Sequence, residues 1–315
     1  MEELDPVIEK ELVYLCGKHH ITVEIMGKLT NHIQQAGENT VESVTQAIAE
    51  FLRLQAPVIK KPNDLPALPI RPPVLCAGCP HRASFYAVKQ AMKGKKTVFS
   101  GDIGCYTLGN AKPLEMVDTC LCMGAGITIA QGLHRVEPDT INFGFIGDST
   151  FFHTGIPGVI NAVYNDTDIV LIVLDNSNTA MTGNQPNPGT GTTMMGNVSE
   201  KINISEVLTA LGVKHVVTMN PFDLNESIEA VKVAAAFSGI SAVIFKAPCI
   251  AVAPQGPKYF VDKEKCTGCR KCIRELGCPA IIKEEDKVTI DPALCYGCSL
   301  CENICSFNAI GGVKS

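Results

Sequence analysis

The sequence predicts an α/β domain built on a doubly wound parallel sheet, followed by a small α+β cysteine-rich module. Three observations predict it. Between Val74 and about Pro254, short β-branched runs alternate with stretches of helical periodicity, the order that builds βαβ units. One run, Ile169 to Leu174, is apolar without interruption, as strands buried on both faces are. Residues 257–315 carry two matching cysteine runs.

Residues 1–56 read as a small αβα piece. Asp5-Pro6 looks like an N-cap followed by proline at the first helical position. Residues 21–26 alternate weakly, as a strand does. Val41, Val44, Ile48, Phe51 and Leu52 repeat at helical spacing, with Thr40 as a cap. One strand and two helices are too little for an independent core. Residues 57–73 form a proline-rich linker, with Pro57, Pro62, Pro66, Pro69, Pro72 and Pro73, and such runs are extended and semi-rigid. Residues 74–256 form the α/β domain. Its strands are expected at 97–100, 140–146, 169–174, 214–217 and 242–246. Its helices are expected at 82–92, 123–135, 156–164, 205–211 and 224–237. Ligands in this architecture sit at the carboxyl ends of the strands, where the loops 101–109, 147–155 and 175–188 lie.

Composition narrows the function. At 315 residues and 46% hydrophobic content, the chain can hold about two domains with a sizeable core. A net charge of -5 argues against nucleic acid as a partner. The longest purely apolar run falls far short of the roughly 20 residues of a membrane span. The acidic start, MEELDPVIEK, lacks the basic and apolar segments of a signal peptide. These features point to a soluble cytoplasmic protein with no membrane partner.

The cysteines carry the first chemistry. Cys266, Cys269 and Cys272 stand at CxxCxxC spacing, with Cys278-Pro279 after them. Cys295, Cys298 and Cys301 repeat the spacing, followed by Cys305. Each run can give three thiolates to one [4Fe–4S] cluster, and in two-cluster ferredoxins the fourth cysteine ligates the other cluster. Cys266, Cys269, Cys272 and Cys305 are therefore paired on one cluster, and Cys278, Cys295, Cys298 and Cys301 on the other. Structural zinc usually pairs two CxxC units instead. The runs depart from the pattern in two places. Five residues precede Cys278 where three are usual, and Ser306 follows the last cysteine where proline is common. Two such clusters move electrons singly and need thiolates in a reducing compartment, which suits an anaerobic or low-oxygen setting.

The second constellation ends two neighbouring strands. INFGFI runs into Gly147-Asp148-Ser149, and IVLIVL into Asp175-Asn176-Ser177-Asn178. A carboxylate and an amide oxygen at adjacent strand ends are hard ligands, suited to Mg²⁺. Such a Mg²⁺ can bridge a diphosphate. The pattern is similar to the thiamine diphosphate signature, Gly-Asp-Gly followed by a distant Asn, with Ser149 in place of the second glycine. Two ordinary β-to-α loops would use Asp and Asn as caps in the same way.

Together these features resemble the 2-oxoacid:ferredoxin oxidoreductases, most closely the α subunit of the indolepyruvate branch. The matching residues are 75–82 (LCAGCPHR), 102–106 (DIGCY), 123–126 (MGAG), 147–149, 174–176, 181–185 (MTGNQ) and the tandem cysteine runs. The resemblance covers nearly the whole chain, and CAGCPHR beside the cysteine module is specific to the indolepyruvate branch. It implies a thiamine diphosphate-binding α/β domain and a two-cluster ferredoxin domain. It implies oxidative decarboxylation of an aryl 2-oxoacid such as indolepyruvate to acyl-CoA and CO₂, with electrons passed to ferredoxin. Pyruvate or branched-chain 2-oxoacids are the alternative substrates. A pure electron-transfer subunit and a non-oxidative thiamine-dependent decarboxylase are the alternative classes.

Residue by residue, the resemblance implies that Asp148, Asn176 and the carbonyl of Asn178 hold Mg²⁺. Gly104, Cys105, Gly147, Ser149, Thr182 and Gln185 would line the cofactor, and His81 and His153 would face the substrate or the thiamine ring. It implies a third, proximal [4Fe–4S] cluster on Cys76, Cys79, Cys105 and Cys249. The residues alone also leave open a redox CxxC, a zinc site or buried free thiols. In this family the α subunit begins with a pyrimidine-binding domain, whose glutamate activates the cofactor. Residues 1–56 look like the remnant of a linker domain that follows it. The chain thus resembles the C-terminal half of that subunit. It is expected to need a pyrimidine-domain partner or N-terminal half, and a β subunit, for activity. Cys16, Cys120 and Cys122 have no assignment. His19, His20, His32, His134 and His215 read as surface or core residues, and residues 283–287 as a solvated charge run. Gly124 and Gly126 open a helix, for diphosphate approach or for close packing.

Overall fold

The computed structural model describes residues 5–57 and 69–312. Most of the proline-rich stretch, including Pro62 and Pro66, lies outside the described residues. The chain divides into two compact units, Met1–Arg71 and Pro72–Ser315.

The first unit carries α1 (Val7–Lys18) and α2 (Val41–Phe51). Thr40 caps α2 as expected. Its hydroxyl accepts from the Ser43 amide, and the Ser43 hydroxyl accepts from the Thr40 amide. At α1 the expected register is off by one: Pro6 is itself the N-cap, and no side chain caps the helix. Residues 21–26 are not a strand. No strand lies among the described residues of this unit, and a lone strand has no ladder to join. Val23, Glu24, Ile25 and Met26 instead line an apolar groove with Leu12 and Cys16 of α1 and Ile48 and Phe51 of α2.

The second unit begins with α3 (Pro80–Ala91) and β1 (Thr97–Ser100). Then follow α4 (Ala125–Val136), β2 (Ile141–Gly147), the single helical turn α5 (Asp148–Thr150) and α6 (Ile156–Tyr164). The chain continues through β3 (Val170–Asp175), α7 (Ile204–Ala210), β4 (His215–Met219), α8 (Leu224–Ala236) and β5 (Ser241–Lys246). The five strands form one sheet in the order β1-β2-β3-β5-β4, all parallel. The chain advances across the sheet from β1 to β4 and turns back only to reach β5. The helices follow that direction. Ile127 of α4, Val159 of α6 and Leu208 of α7 pack on one face, while Phe85 of α3 and Val231 of α8 pack on the other. Crossovers are right-handed, so reversing direction moves the connecting helix to the opposite face. The expected doubly wound sheet is thus present.

Strand β3 shows why its run is apolar throughout. Val170, Ile172 and Leu174 enter the α3/α8 layer, and Leu171 and Val173 the other layer. Side chains alternate across a strand, so a strand covered on both faces has no polar position. Each such aliphatic side chain contributes about 1.5–3 kcal/mol by burial.

After β5 come two antiparallel pairs, β6 (Tyr259–Val261) with β9 (Ile310–Gly312) and β7 (Ile281–Glu284) with β8 (Lys287–Ile290). The short helices α9 (Lys271–Leu276) and α10 (Leu300–Ile304) complete the segment. The charge run 283–287 is the tip of the β7–β8 hairpin. The segment belongs to the same compact unit as the sheet. Its Leu276, Ile281, Val288, Leu300 and Ile304 join the apolar core of the α3/α8 face. Among the described residues no helix is long and apolar enough to cross a membrane.

Candidate cofactor cleft and thiol sets

A cleft opens at the carboxyl ends of β1, β2 and β3. It is lined by His81, Gly104, Cys105, Tyr106, Gly147, Asp148, Ser149, Asn176, Asn178 and Thr182, among others. Strand β2 passes directly into helix. Asp148 stands in the first turn, and Phe151–Gly155 form a single π-helical turn before α6. Such turns are frequent at functional sites. Strand β3 ends at Asp175, which places Asn176 and Asn178 opposite Asp148.

Asp148 is buried. Asn187 donates to its Oδ2 at 2.9 Å. Burial pushes its carboxyl up to about 6, and neighbouring Asp175 pushes the same way. Asn187 and the amides of Ser149 and Asn178 oppose them. The ionised form is thus short of positive charge, which a divalent cation would supply. A carboxylate and two Asn oxygens are donors that fit Mg²⁺. Asn178 donates to Asn184 Oδ1 at 2.7 Å, leaving its own oxygens for other partners.

His81, on α3, is buried with its Nε2 3.3 Å from Asn176 Nδ2 and its ring edge-on to Tyr106. Burial lowers its pKa to about 4, so the imidazole is neutral near pH 7. His153 is exposed on the π turn and does not line the cleft. Gln185 lies outside the cleft too, bonded to Thr182 through both hydroxyl and carbonyl.

Two residues that brace the cleft without lining it are given no role by the sequence. Asp102 is buried and accepts from Tyr106 Oη at 3.0 Å and from the Gly124 amide at 2.8 Å. Burial raises its pKa. It joins the loop after β1 to the start of α4. Asn187, which orients Asp148, follows a loop with no periodic signal. Asp102 could have been found from DIGCY, but nothing in the sequence marks Asn187.

The thiols gather in three sets. Cys266, Cys269, Cys272 and Cys305 line one cavity. Cys301 and Cys298 are both influenced by Cys278 and Cys295, and by each other in the case of Cys301. Cys105 is influenced by Cys249 and Cys76, and Cys79 by Cys76. Among the described residues no three His, Cys, Asp or Glu could hold a single metal ion. The first set surrounds a cavity instead, which suits a larger inorganic group. Backbone amides point at the sulfurs: Ala309 N–H donates to Cys305 Sγ at 3.3 Å, and Ile273 and Leu300 amides act on Cys272 and Cys298. Burial raises the Cys272, Cys298 and Cys301 thiols and pushes Cys79 up to about 12. Iron would have to displace those protons.

The two runs fold alike. Gly268 and Gly297 have φ of 71° and 83°, and the residues before the next helices, Arg270 and Ser299, have φ of 56° and 62°. A Cβ on Gly268 would lie 2.0 Å from the Asp286 carbonyl oxygen, and one on Gly297 2.5 Å from that of Pro257. Both conformation and space demand glycine there. The third set touches the cleft. Cys105 lines it, and the Cys249 amide donates to the Asn176 carbonyl at 2.9 Å.

Residues 102–245 match the family described as thiamine pyrophosphate enzyme, C-terminal TPP binding domain. The indolepyruvate oxidoreductase subunit IorA of Methanothermobacter thermautotrophicus is 42% identical over 98% of this chain and 51% of its own length. That of Archaeoglobus fulgidus is 38% identical over 100% of this chain and 52% of its own. The 2-oxoglutarate synthase subunit KorB of Archaeoglobus fulgidus is 31% identical over 46% of this chain and 58% of its own. The chain spans about half the length of the IorA relatives it matches. A solved 2-oxoglutarate:ferredoxin oxidoreductase from Magnetococcus marinus shares the fold, with a TM-score of 0.50 at 20% identity over 57% of this chain and 65% of that one.

Proposed function

From its similarity to IorA subunits of indolepyruvate oxidoreductase over about half of their length, we propose that the chain belongs with them and carries the cofactor cleft and iron–sulfur sites of a 2-oxoacid:ferredoxin oxidoreductase acting on aryl 2-oxoacids such as indolepyruvate. The products are acyl-CoA, CO₂ and electrons delivered to ferredoxin. The observation that carries this reading is the convergence of Asp148, Asn176 and Asn178 in one cleft whose wall includes Cys105.

Thiamine diphosphate, when bound, supplies the carbanion chemistry of decarboxylation. The chain's own residues bind and orient. Asp148, Asn176 and Asn178 would hold Mg²⁺, which would neutralise the charge of the diphosphate. Neutral His81 holds Asn176 in place. Iron–sulfur clusters, when bound, would supply one-electron transfer: the Cys76, Cys79, Cys105 and Cys249 set lies beside the cleft, and the two C-terminal sets would pass electrons onward. The residues lining the cleft include one carboxylate, Asp148, which is committed to the metal. The carboxylate that meets the aminopyrimidine would come from outside the described residues, from a pyrimidine-domain partner or segment, with the β subunit completing the enzyme.

The test is calorimetric. Asp148→Ala should abolish Mg²⁺-dependent binding of thiamine diphosphate while leaving iron content unchanged. Unaltered binding by this variant would sink the assignment.

A further inference from the structure

Arg82 is the unusual cation of this fold. It follows CAGCPH on α3 and is 4% exposed. Its Nη1 donates to the carbonyls of Leu276 at 2.5 Å and Gly277 at 3.1 Å, and its Nη2 to that of Leu75 at 2.6 Å. Its Nε has no partner. Among the described residues it has no carboxylate within ion-pair distance. A buried guanidinium without an anion is costly, and carbonyl dipoles offset only part of that cost.

The anions it lacks stand on both sides. Arg82 is one helical turn from Cys79, and the Leu276 and Gly277 carbonyls it grips lead directly into Cys278. Burial works against its charge, while Cys278, Cys79, Cys298 and Cys76 all favour it, in that order. These four thiols belong to two different sets. The sets are pressed together at a second point. Tyr296 Oη donates to the carbonyls of Ile250 and Ala253, just past Cys249. A Cβ on Gly78, at φ +80°, would lie 2.5 Å from Tyr296 Cβ. The two residues by which the first run exceeds the second, between Cys272 and Cys278, lie in the segment that ends in these carbonyls. The departure from the usual spacing thus coincides with the docking of Arg82.

Resting on the cluster reading above, we propose that Arg82 is a shared counter-charge wedged between the proximal cluster and the Cys278/Cys295/Cys298/Cys301 cluster, raising the reduction potential of both. A positive charge favours the more negative, reduced member of each one-electron couple. The Cys266/Cys269/Cys272/Cys305 cluster, whose cysteines are not among the thiols acting most strongly on Arg82, is the internal control.

The experiment is a dithionite titration of the anaerobically reconstituted chain, followed by EPR, for the parent, Arg82→Gln and Arg82→Lys. Iron and sulfide analysis comes first and tests the cluster reading by itself: a parent that binds no clusters refutes that reading. In Arg82→Gln the two flanking couples should become at least tenfold harder to reduce, about 59 mV for one electron, with the third unmoved. Arg82→Lys keeps the charge and should restore the parent potentials. If Arg82→Gln loads its clusters at parent potentials, or if all three couples shift alike, the proposal is wrong. If Arg82→Gln does not load, Arg82→Lys decides. Loading at parent potentials supports the counter-charge. Failure to load, or lowered potentials, reduces Arg82 to a carbonyl clamp and overturns it.

Discussion

At Asp148 burial and metal binding pull in opposite directions. With the carboxyl pushed from its ordinary 3.8 up to about 6, the folded chain holds a proton there that the unfolded chain has released. Without a cation, Asp148's contribution to stability is therefore fully present below about pH 4 and lost as pH rises through about 6. Mg²⁺ reverses the sign, because it takes the place of that proton. Mg²⁺-dependent retention of thiamine diphosphate should fall about tenfold per pH unit below about pH 6, with a midpoint that moves lower as Mg²⁺ is raised. Equilibrium dialysis across a pH series would measure it, and Asp148→Asn should flatten the step. A retention profile indifferent to Mg²⁺ concentration would contradict this account. The residues that tune Asp148 were only half legible in the sequence. Asp148 and Asn176 stand at strand ends, where a pattern points at them. Asn187 lies in a loop, and its bond to Asp148 is made by tertiary folding alone.

At the scale of elements, periodicity read well wherever both faces of an element were buried. The run IVLIVL announced β3, and α3, α6 and α8 appeared within a residue or two of their expected bounds. Residues 21–26 misled because weak alternation is a property of one segment, while a strand requires a neighbour. The π turn Phe151–Gly155 gave no signal, since its sequence is compatible with ordinary helix. The cysteine runs were legible through spacing, and their cross-pairing has a measurable consequence. Because Cys305 lines the cavity of Cys266, Cys269 and Cys272, Cys305→Ala should damage that cluster and spare the one on the Cys295 run. EPR and iron analysis of the reconstituted variant would show a loss of about four iron atoms; loss of the other signal would reverse the pairing.

For the molecule as a whole, the proposed function makes the cleft and the thiol sets one electron path, and the cleft one side of a cofactor site that a pyrimidine-binding domain would complete. The purified chain should therefore give no 2-oxoacid-dependent reduction of viologen dye. Activity should appear when a pyrimidine-domain partner and the β subunit are added. Turnover by the isolated chain on the order of 1–10³ per second would mean that the second side is built from these residues after all. The apolar layer beneath α3 and α8 has a further consequence. It runs without a break from Phe85 and Val231 to Leu276, Ile281 and Ile304, so the sheet and the cysteine-bearing segment are fastened through the same side chains. Damage by oxygen at the exposed end would then travel inward as a loss of heat resistance. A single cooperative melt of residues 72–312 would slide to lower temperature, and the thiamine cleft would loosen although no atom in it had reacted.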